Sequence, residues 1–413
     1  MRISHILHQY MPDKVGGTEL YTRTLAQHLV QRGHDVSIAT PSPSSNTLDP
    51  QIEEGVQIYR IPIKDRGATT VFLSSFRQPS IKRAYQTLLQ KEPPDLVHIE
   101  HLMGWPLSIL PIIEKAHIPY IITLHDYWHL CPNSQLLTNF DETICKGPEK
   151  WLNCAHCALA RSGYSKANIF APGLIPLFAY RHVKLRNILQ RAKKLIAPTQ
   201  FTKTIHTQMG INEDKIQVVP HGIRLPAAMP PHAKQADFHI GYIGGLAWQK
   251  GVHVLVEAVN QLPKTGIQLS IIGDTAVFPE YVAHLQTIAT HPGIQLQGRL
   301  PPEQLWQTLA KIDVLVVPSL WYETAALVIQ EAFAAGVPVI ASRIGALQER
   351  LEDGRNGRFV PPGDASSLAE ILHTFHQHPE ELKRLRQGIQ PVRTIEEHVT
   401  DIETIYQQSI MTI

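Results

Sequence analysis

The chain is predicted to be an α/β protein built from two successive domains, each a parallel sheet wound by helices on both faces. Short apolar runs alternate with helical patterns from one end to the other, and that alternation produces parallel, doubly wound sheets. Length agrees, because 413 residues exceed what one hydrophobic core ordinarily serves. The runs fall into two sets of six, so two Rossmann-like domains are expected. The break is placed at 222–237, where Pro226, Pro230 and Pro231 mark an irregular linker.

In the first domain, strands are expected at 3–7, 36–40, 96–99, 120–123, 195–197 and 217–219. Gly16, Gly17 and Thr18 follow the first strand and open a helix through Leu20, Leu25 and Leu29. Glycines at such a turn let backbone approach a ligand. A plain βα turn capped by Thr18 reads equally well from these residues alone. His101 follows the strand 96–99, and His125 with Asp126 follows 120–123. Both histidines therefore stand at C-terminal strand ends, where open α/β sheets bind ligands. The chain holds 22 histidines, so position alone does not make one functional. Asp126 is expected either to orient His125 or to cap the next turn.

Cys131, Cys145, Cys154 and Cys157 are the only cysteines, spaced C-x13-C-x8-C-x2-C. Four thiols in one short span, ending in C-x2-C, suggest a structural zinc site, with free thiols or an iron–sulfur cluster as the alternatives. The surrounding insertion, about 131–173, has little periodicity, and a metal would order what apolar burial cannot. The segment 180–194 is basic and amphipathic. It reads as a solvated helix face, with docking on anionic lipid as the functional alternative.

In the second domain, strands are expected at 239–243, 269–273, 294–297, 314–317, 339–341 and 358–360. Gly244 and Gly245 close the first of these, and Lys250-Gly251 opens a helix. Arg299 follows the strand 294–297. After 314–317 comes Pro318-Ser319-Leu320-Trp321-Tyr322-Glu323, then a helix expected over 325–335, capped by Thr324 and stopped by Gly336. A helix N-terminus suits a phosphate. Glu323 lies just outside that terminus and Glu331 about two turns in, the spacing that a sugar, a diphosphate and a ribose would require.

Pro318-Ser319, the pair Glu323 and Glu331 as E-x7-E, and Ala334 to Ile340 as A-x-G-x-P-V-I come in the order seen in retaining glycosyltransferases of family 4, which this chain resembles over nearly its whole length. Gly16-Gly17, Arg32-Gly33-His34, Thr123-x-His125-Asp126 and Lys250-Gly251 extend the resemblance. It implies the GT-B fold: an acceptor domain over 1–221, a donor domain over 222–390, the two facing across a cleft, and a helix within 391–413 crossing back onto the first. It further implies transfer of a sugar, with retention, from a nucleotide sugar to a glycan or lipid-linked acceptor in polysaccharide or glycolipid synthesis. UDP is the favoured nucleotide.

The resemblance assigns His125 to the transferred sugar and Glu323 to the sugar or its backbone frame. Lys250 goes to the diphosphate and Glu331 to the ribose. Gly16 and Gly17 lie beside the diphosphate, and Gly244, Gly245, Thr324, Ala325, Ala326 and Leu327 complete the donor site. No cofactor is expected for catalysis, since no D-x-D metal-diphosphate motif is present. The chain departs from the family at Gly245, which occupies the place of a phosphate-binding Arg, and Arg299 is the residue expected to compensate. It departs again at Thr324-Ala325, where Gly and Phe are usual.

The apolar fraction of 43% and charged fraction of 18% are ordinary for a globular enzyme. A net charge of +2 argues against a dedicated nucleic-acid binder. The first residues read as a strand rather than a signal peptide, and no stretch of about 18 apolar residues occurs. The expected location is the cytoplasm, with peripheral contact at the inner membrane face as an option. Two other readings stand: a nucleotide-sugar epimerase on the same fold, and a non-catalytic nucleotide-sugar-binding protein, motivated by Gly245.

Overall fold

The computed structural model describes residues 1–64, 67–163, 169–233 and 236–411. Within the insertion 131–173, residues 164–168 lie outside this description, as do 234 and 235 of the segment 222–237. The chain divides into two compact units. One holds Met1–His221 with the C-terminal helix Ile395–Met411, the other Gly222–Thr394.

The first unit contains an eight-stranded sheet of β1 (Arg2–Ile6), β2 (Asp35–Ser42), β3 (Gln51–Glu53), β4 (Val56–Pro62), β5 (Leu96–Ile99), β6 (Tyr120–Thr123), β7 (Leu195–Ala197) and β8 (Ile216–Val218). Their order across the sheet is β3-β4-β2-β1-β5-β6-β7-β8. Every pairing is parallel except β3 with β4. Two strands, β3 and β4, are additions to the expected set. They form a hairpin at Glu54-Gly55, where both residues have positive φ.

Strand side chains alternate between two cores, as the period of two requires. Ile6, Val97 and Ile122 enter one core with the helices Pro79–Lys91 and Ala171–Arg191. Ile3, Leu96 and Ile121 enter the other with the helices Gly17–Gln31 and Ile395–Met411. The C-terminal helix thus completes the first unit's second core, through Ile395, Val399, Ile402, Ile405 and Tyr406.

The second unit's six strands are β9 (Phe238–Ile243), β10 (Ile267–Ile272), β11 (Ile294–Gln297), β12 (Val314–Val317), β13 (Val339–Ser342) and β14 (Gly357–Val360). All pairings are parallel, in the order β11-β10-β9-β12-β13-β14. This order reverses between β9 and β12, and ligands bind at the carboxyl ends of the strands flanking such a reversal. In the first unit the reversal lies between β1 and β5. No described helix is long and apolar enough to cross a membrane.

Candidate active site

In the second unit, the reversal brings the turn after β9 against the turn after β12. Gly251 caps the helix Val252–Asn260 with φ of 69°. A Cβ there would lie 1.9 Å from the carbonyl oxygen of Pro318, so only glycine allows this approach. The Leu320 amide donates to the carbonyl of Gln249 at 2.8 Å and closes the junction. Lys250 and Glu323, expected in separate roles, become partners as a result. Lys250 Nζ donates to both Glu323 oxygens, at 2.8 Å to Oε1 and 3.1 Å to Oε2. Ser319 Oγ and Trp321 Nε1 also donate to Oε1, at 2.7 and 2.8 Å. The Trp321 ring lies 5.0 Å from Lys250 Nζ. Burial opposes ionisation of Glu323, which is 8% exposed. Lys250 and the two neutral donors outweigh it, and the carboxyl sits below its usual range.

The helix after Glu323 is Leu327–Ala334, shorter than expected, and Thr324 does not cap it. The cap position falls to Ala326, at φ 46° and ψ 57°, with no side-chain cap. An alanine in this left-handed region costs about 1 kcal/mol, and such strain gathers at functional sites. Glu331 follows in the second turn. Its carboxylate forms no side-chain hydrogen bond or ion pair among the described residues, and desolvation pushes it up to about 7. A poorly solvated acceptor without a protein donor suits the hydroxyls of a ribose.

Gly244 packs against the turn after β10, where a Cβ on Gly273 would lie 2.3 Å from its carbonyl. Gly245 differs. A Cβ there meets nothing within 4 Å, and its carbonyl accepts from the Tyr242 hydroxyl at 2.8 Å. Among the described residues, no hydrogen bond or ion pair joins Arg299 to this group. It is exposed and follows β11, the edge strand two places from β9.

In the first unit, His125 Nε2 donates to Glu100 Oε2 at 2.8 Å. Glu100 is fully buried, and its Oε1 accepts from His5 Nδ1 at 2.8 Å. Burial alone would raise the Glu100 carboxyl, yet His98, His125 and His5 hold it well below the usual range. His98 is itself bound by Thr123 and Tyr406, and burial lowers its imidazole to about 3. Glu100, which sequence reasoning passed over, is thus the partner of His125. A carboxylate just beyond an apolar strand, in His98-Ile99-Glu100-His101, was the available signal. Asp126 serves His101 instead, at 3.0 Å, and caps the turn through the Trp128 amide at 2.7 Å. Burial opposes its ionisation, but His101 draws its carboxyl down to about 2.

Gly16 is the extended N-cap of the helix Gly17–Gln31, with no side-chain cap from Thr18. Glu19 curls back over this end: a Cβ on Gly16 would lie 2.8 Å from its Oε2. The Glu19 carboxyl therefore faces this N-terminus, and burial raises it above its usual range.

Cys154 and Cys157 lie one helical turn apart on the helix Leu152–Arg161, inside the insertion expected to be irregular. All four thiols are free and partly buried. Amides of Gly147 and Asn139 donate to Cys145 and Cys157 at 3.4 Å. Burial, with added repulsion from neighbouring thiols, pushes Cys154 up to about 12 and Cys157 to about 11. The four do not form a set with ligand atoms within 4.8 Å of one another. Among the described residues that criterion is met by His5, His98 and Glu100, already joined by hydrogen bonds, and we assign no metal to them. The helix Ala171–Arg191 is not uniformly basic on its surface, since Arg181 is buried over the Trp128 ring and donates to the Trp128 carbonyl at 2.7 Å.

Comparison with known proteins matches residues 15–225 to the model of Glycosyltransferase Family 4 and residues 237–378 to that of Glycosyl transferases group 1. The MMP alpha-(1->4)-mannosyltransferase of Mycolicibacterium hassiacum is 24% identical over 393 residues, covering 90% of this chain and 88% of that protein. Among solved structures, sucrose-phosphate synthase from Thermosynechococcus elongatus superposes with a TM-score of 0.74 at 20% identity, over 100% of both chains. Anabaena Alr3699/HepE in complex with UDP and glucose gives a TM-score of 0.66 at 19% identity, over 99% of this chain and 98% of that one. Both structures share the two-sheet GT-B fold.

Proposed function

Because the chain belongs to glycosyltransferase family 4, and so transfers a sugar from a nucleotide-sugar donor, we propose that its second unit binds a UDP-sugar through Lys250, Glu323 and Glu331. One observation carries this reading: Lys250 and Glu323 meet at the strand-order reversal, with the Glu331 carboxylate, unpartnered among the described residues, in the second turn of the following helix. The family membership sets aside the epimerase reading. That Alr3699/HepE is described with UDP and glucose favours uridine for this chain.

Departure of the diphosphate leaves an oxocarbenium-like centre, and the leaving charge must be stabilised. Lys250 and the free amides at the start of the helix Leu327–Ala334 supply that charge stabilisation. Glu331 accepts the ribose hydroxyls, and Glu323 accepts a sugar hydroxyl. On the first unit, Glu100 orients the His125 imidazole for a hydrogen bond to a sugar. Configuration is retained through front-face attack assisted by the leaving phosphate, and the acceptor is a glycan or a lipid-linked saccharide. The half-exposed apolar residues Tyr180 and Val183 of the helix Ala171–Arg191, beside Lys184 and Arg186, support peripheral contact with anionic lipid at the cytoplasmic membrane face.

Release of nucleoside diphosphate from UDP-glucose, GDP-mannose and ADP-glucose, followed by chromatography, tests the donor assignment. UDP-glucose turnover lost in Lys250→Ala and Glu323→Gln supports it. Turnover of UDP-glucose unchanged in both variants contradicts it.

The four cysteines are the remaining part of the proposal. Burial raises the Cys145, Cys154 and Cys157 thiols, and a zinc ion held by the four as thiolates would tie the helix Leu152–Arg161 to the rest of the insertion. Mass-spectrometric metal analysis should find one zinc per chain, reduced in Cys154→Ser. Absence of zinc from protein prepared without chelator would leave the four as free thiols.

A further inference from the structure

We propose that Trp321 is the positioning residue of the donor site, fixing Lys250 and Glu323 so that one carboxylate oxygen and one ammonium proton are left for the donor, an inference that rests on the donor reading above. Glu323 Oε1 takes three donors: Ser319 Oγ, Trp321 Nε1 and Lys250 Nζ. Among the described residues Oε2 takes Lys250 alone, at 3.1 Å. A carboxylate offers about four lone-pair positions over its two oxygens, so Oε1 is saturated and Oε2 retains capacity for a sugar hydroxyl. Lys250 has three N–H donors. Two engage Glu323, and one remains for a phosphate oxygen.

Both allotments pass through Trp321. Its Nε1–H fills Oε1, turning the open lone pairs to Oε2. Its ring face, 5.0 Å from Lys250 Nζ, restricts the ammonium from the other side. Gly245 adds no cation nearby, so the direction of the single free Lys250 proton has more weight here than in a site with a second fixed charge. Serine at 319 anchors the carboxylate from within the core, where it is 1% exposed. The indole is half-buried and spans both partners, which no other residue in the group does.

Trp321→Phe separates the functions, since it keeps a ring face and removes the N–H. The groups facing the Glu323 carboxylate are Lys250, Ser319, Trp321 and the buried Tyr242. Losing one hydrogen bond that favours the ionised form raises the Glu323 carboxyl. Kinetics of nucleoside diphosphate release from UDP-glucose, GDP-mannose and ADP-glucose are compared from about pH 5 to about pH 9 for the parent, Trp321→Phe and Glu323→Gln. Trp321→Phe is expected to lower kcat about tenfold, to leave donor KM within about twofold, and to move the acid limb to higher pH. The limb's position does not depend on the fraction of enzyme folded, so it decides the matter even if the variant is less stable. A parent-like kcat and acid limb in Trp321→Phe, beside an inactive Glu323→Gln, overturns the positioning role alone. A parent inactive toward all three donors removes the donor reading and the proposal with it.

Discussion

Glu331 is a carboxyl that burial pushes up to about 7, with no partner among the described residues to bring it back. Its ordinary value is 4.5, so the folded state holds the proton more tightly than the unfolded chain does. The associated stability is fully present below about pH 4.5 and is lost as pH rises through about 7. Glu331→Gln does not titrate. The Tm of the variant minus that of the parent should therefore be larger at pH 8 than at pH 4.5, and a constant difference would contradict the desolvated state. Gly245 gives a second residue-scale prediction. The space beyond its Cβ position is open, so Gly245→Arg should be accommodated and should add a charge-assisted bond to the diphosphate. Donor KM is expected to fall about tenfold, for a gain of about 1.5 kcal/mol; an unchanged KM would mean that this position does not face the phosphates. Lys250, Glu323 and Glu331 were all legible as residues of interest in the sequence. Their pairing was not, because a salt bridge between positions 73 apart depends on which turns the sheet order brings together.

At the scale of elements, the contact between the turn after β9 and the turn after β12 decides the geometry of the proposed donor site. Gly251→Ala places a methyl group 1.9 Å from the Pro318 carbonyl at positive φ. It should separate the two turns and weaken UDP binding at least tenfold by calorimetry, with Tm lowered by several degrees. UDP affinity equal to the parent's would show that the turns are not coupled. Apolar runs flanked by helices made six strands of the second sheet readable, and six of the eight in the first. The hairpin of β3 and β4 escaped notice although Glu54-Gly55 is a turn signal, because Tyr59 and Arg60 interrupt the alternation of an otherwise strand-like segment. The helix Leu152–Arg161 was hidden by its cysteines, which drew the whole insertion into one irregular reading. Helix ends were less legible still: the cap at Ala326 is strained, and no propensity for alanine predicts a left-handed residue there.

For the whole molecule, two parallel sheets and a C-terminal helix returning to the first unit were readable from the alternation of elements and from the family resemblance. Each sheet gathers its candidate residues at its own order reversal: His125 and Glu100 in the first unit, Lys250 and Glu323 in the second. The partners of Glu100 and Trp321 were not fully readable, since His5 and His125 reach Glu100 from other strand ends and Lys250 reaches the Trp321 ring from the turn after β9. The proposed donor-binding residues Lys250, Glu323 and Glu331 all belong to the second unit, which makes donor binding the most direct test of the central claim. Calorimetric titration of the parent and of Glu331→Ala with UDP-glucose, GDP-mannose and ADP-glucose is that measurement. Saturable binding of UDP-glucose in preference to the other two, weakened at least tenfold by Glu331→Ala, is the predicted result. Equal binding by the variant, or preference for another nucleotide, would contradict the account of this site.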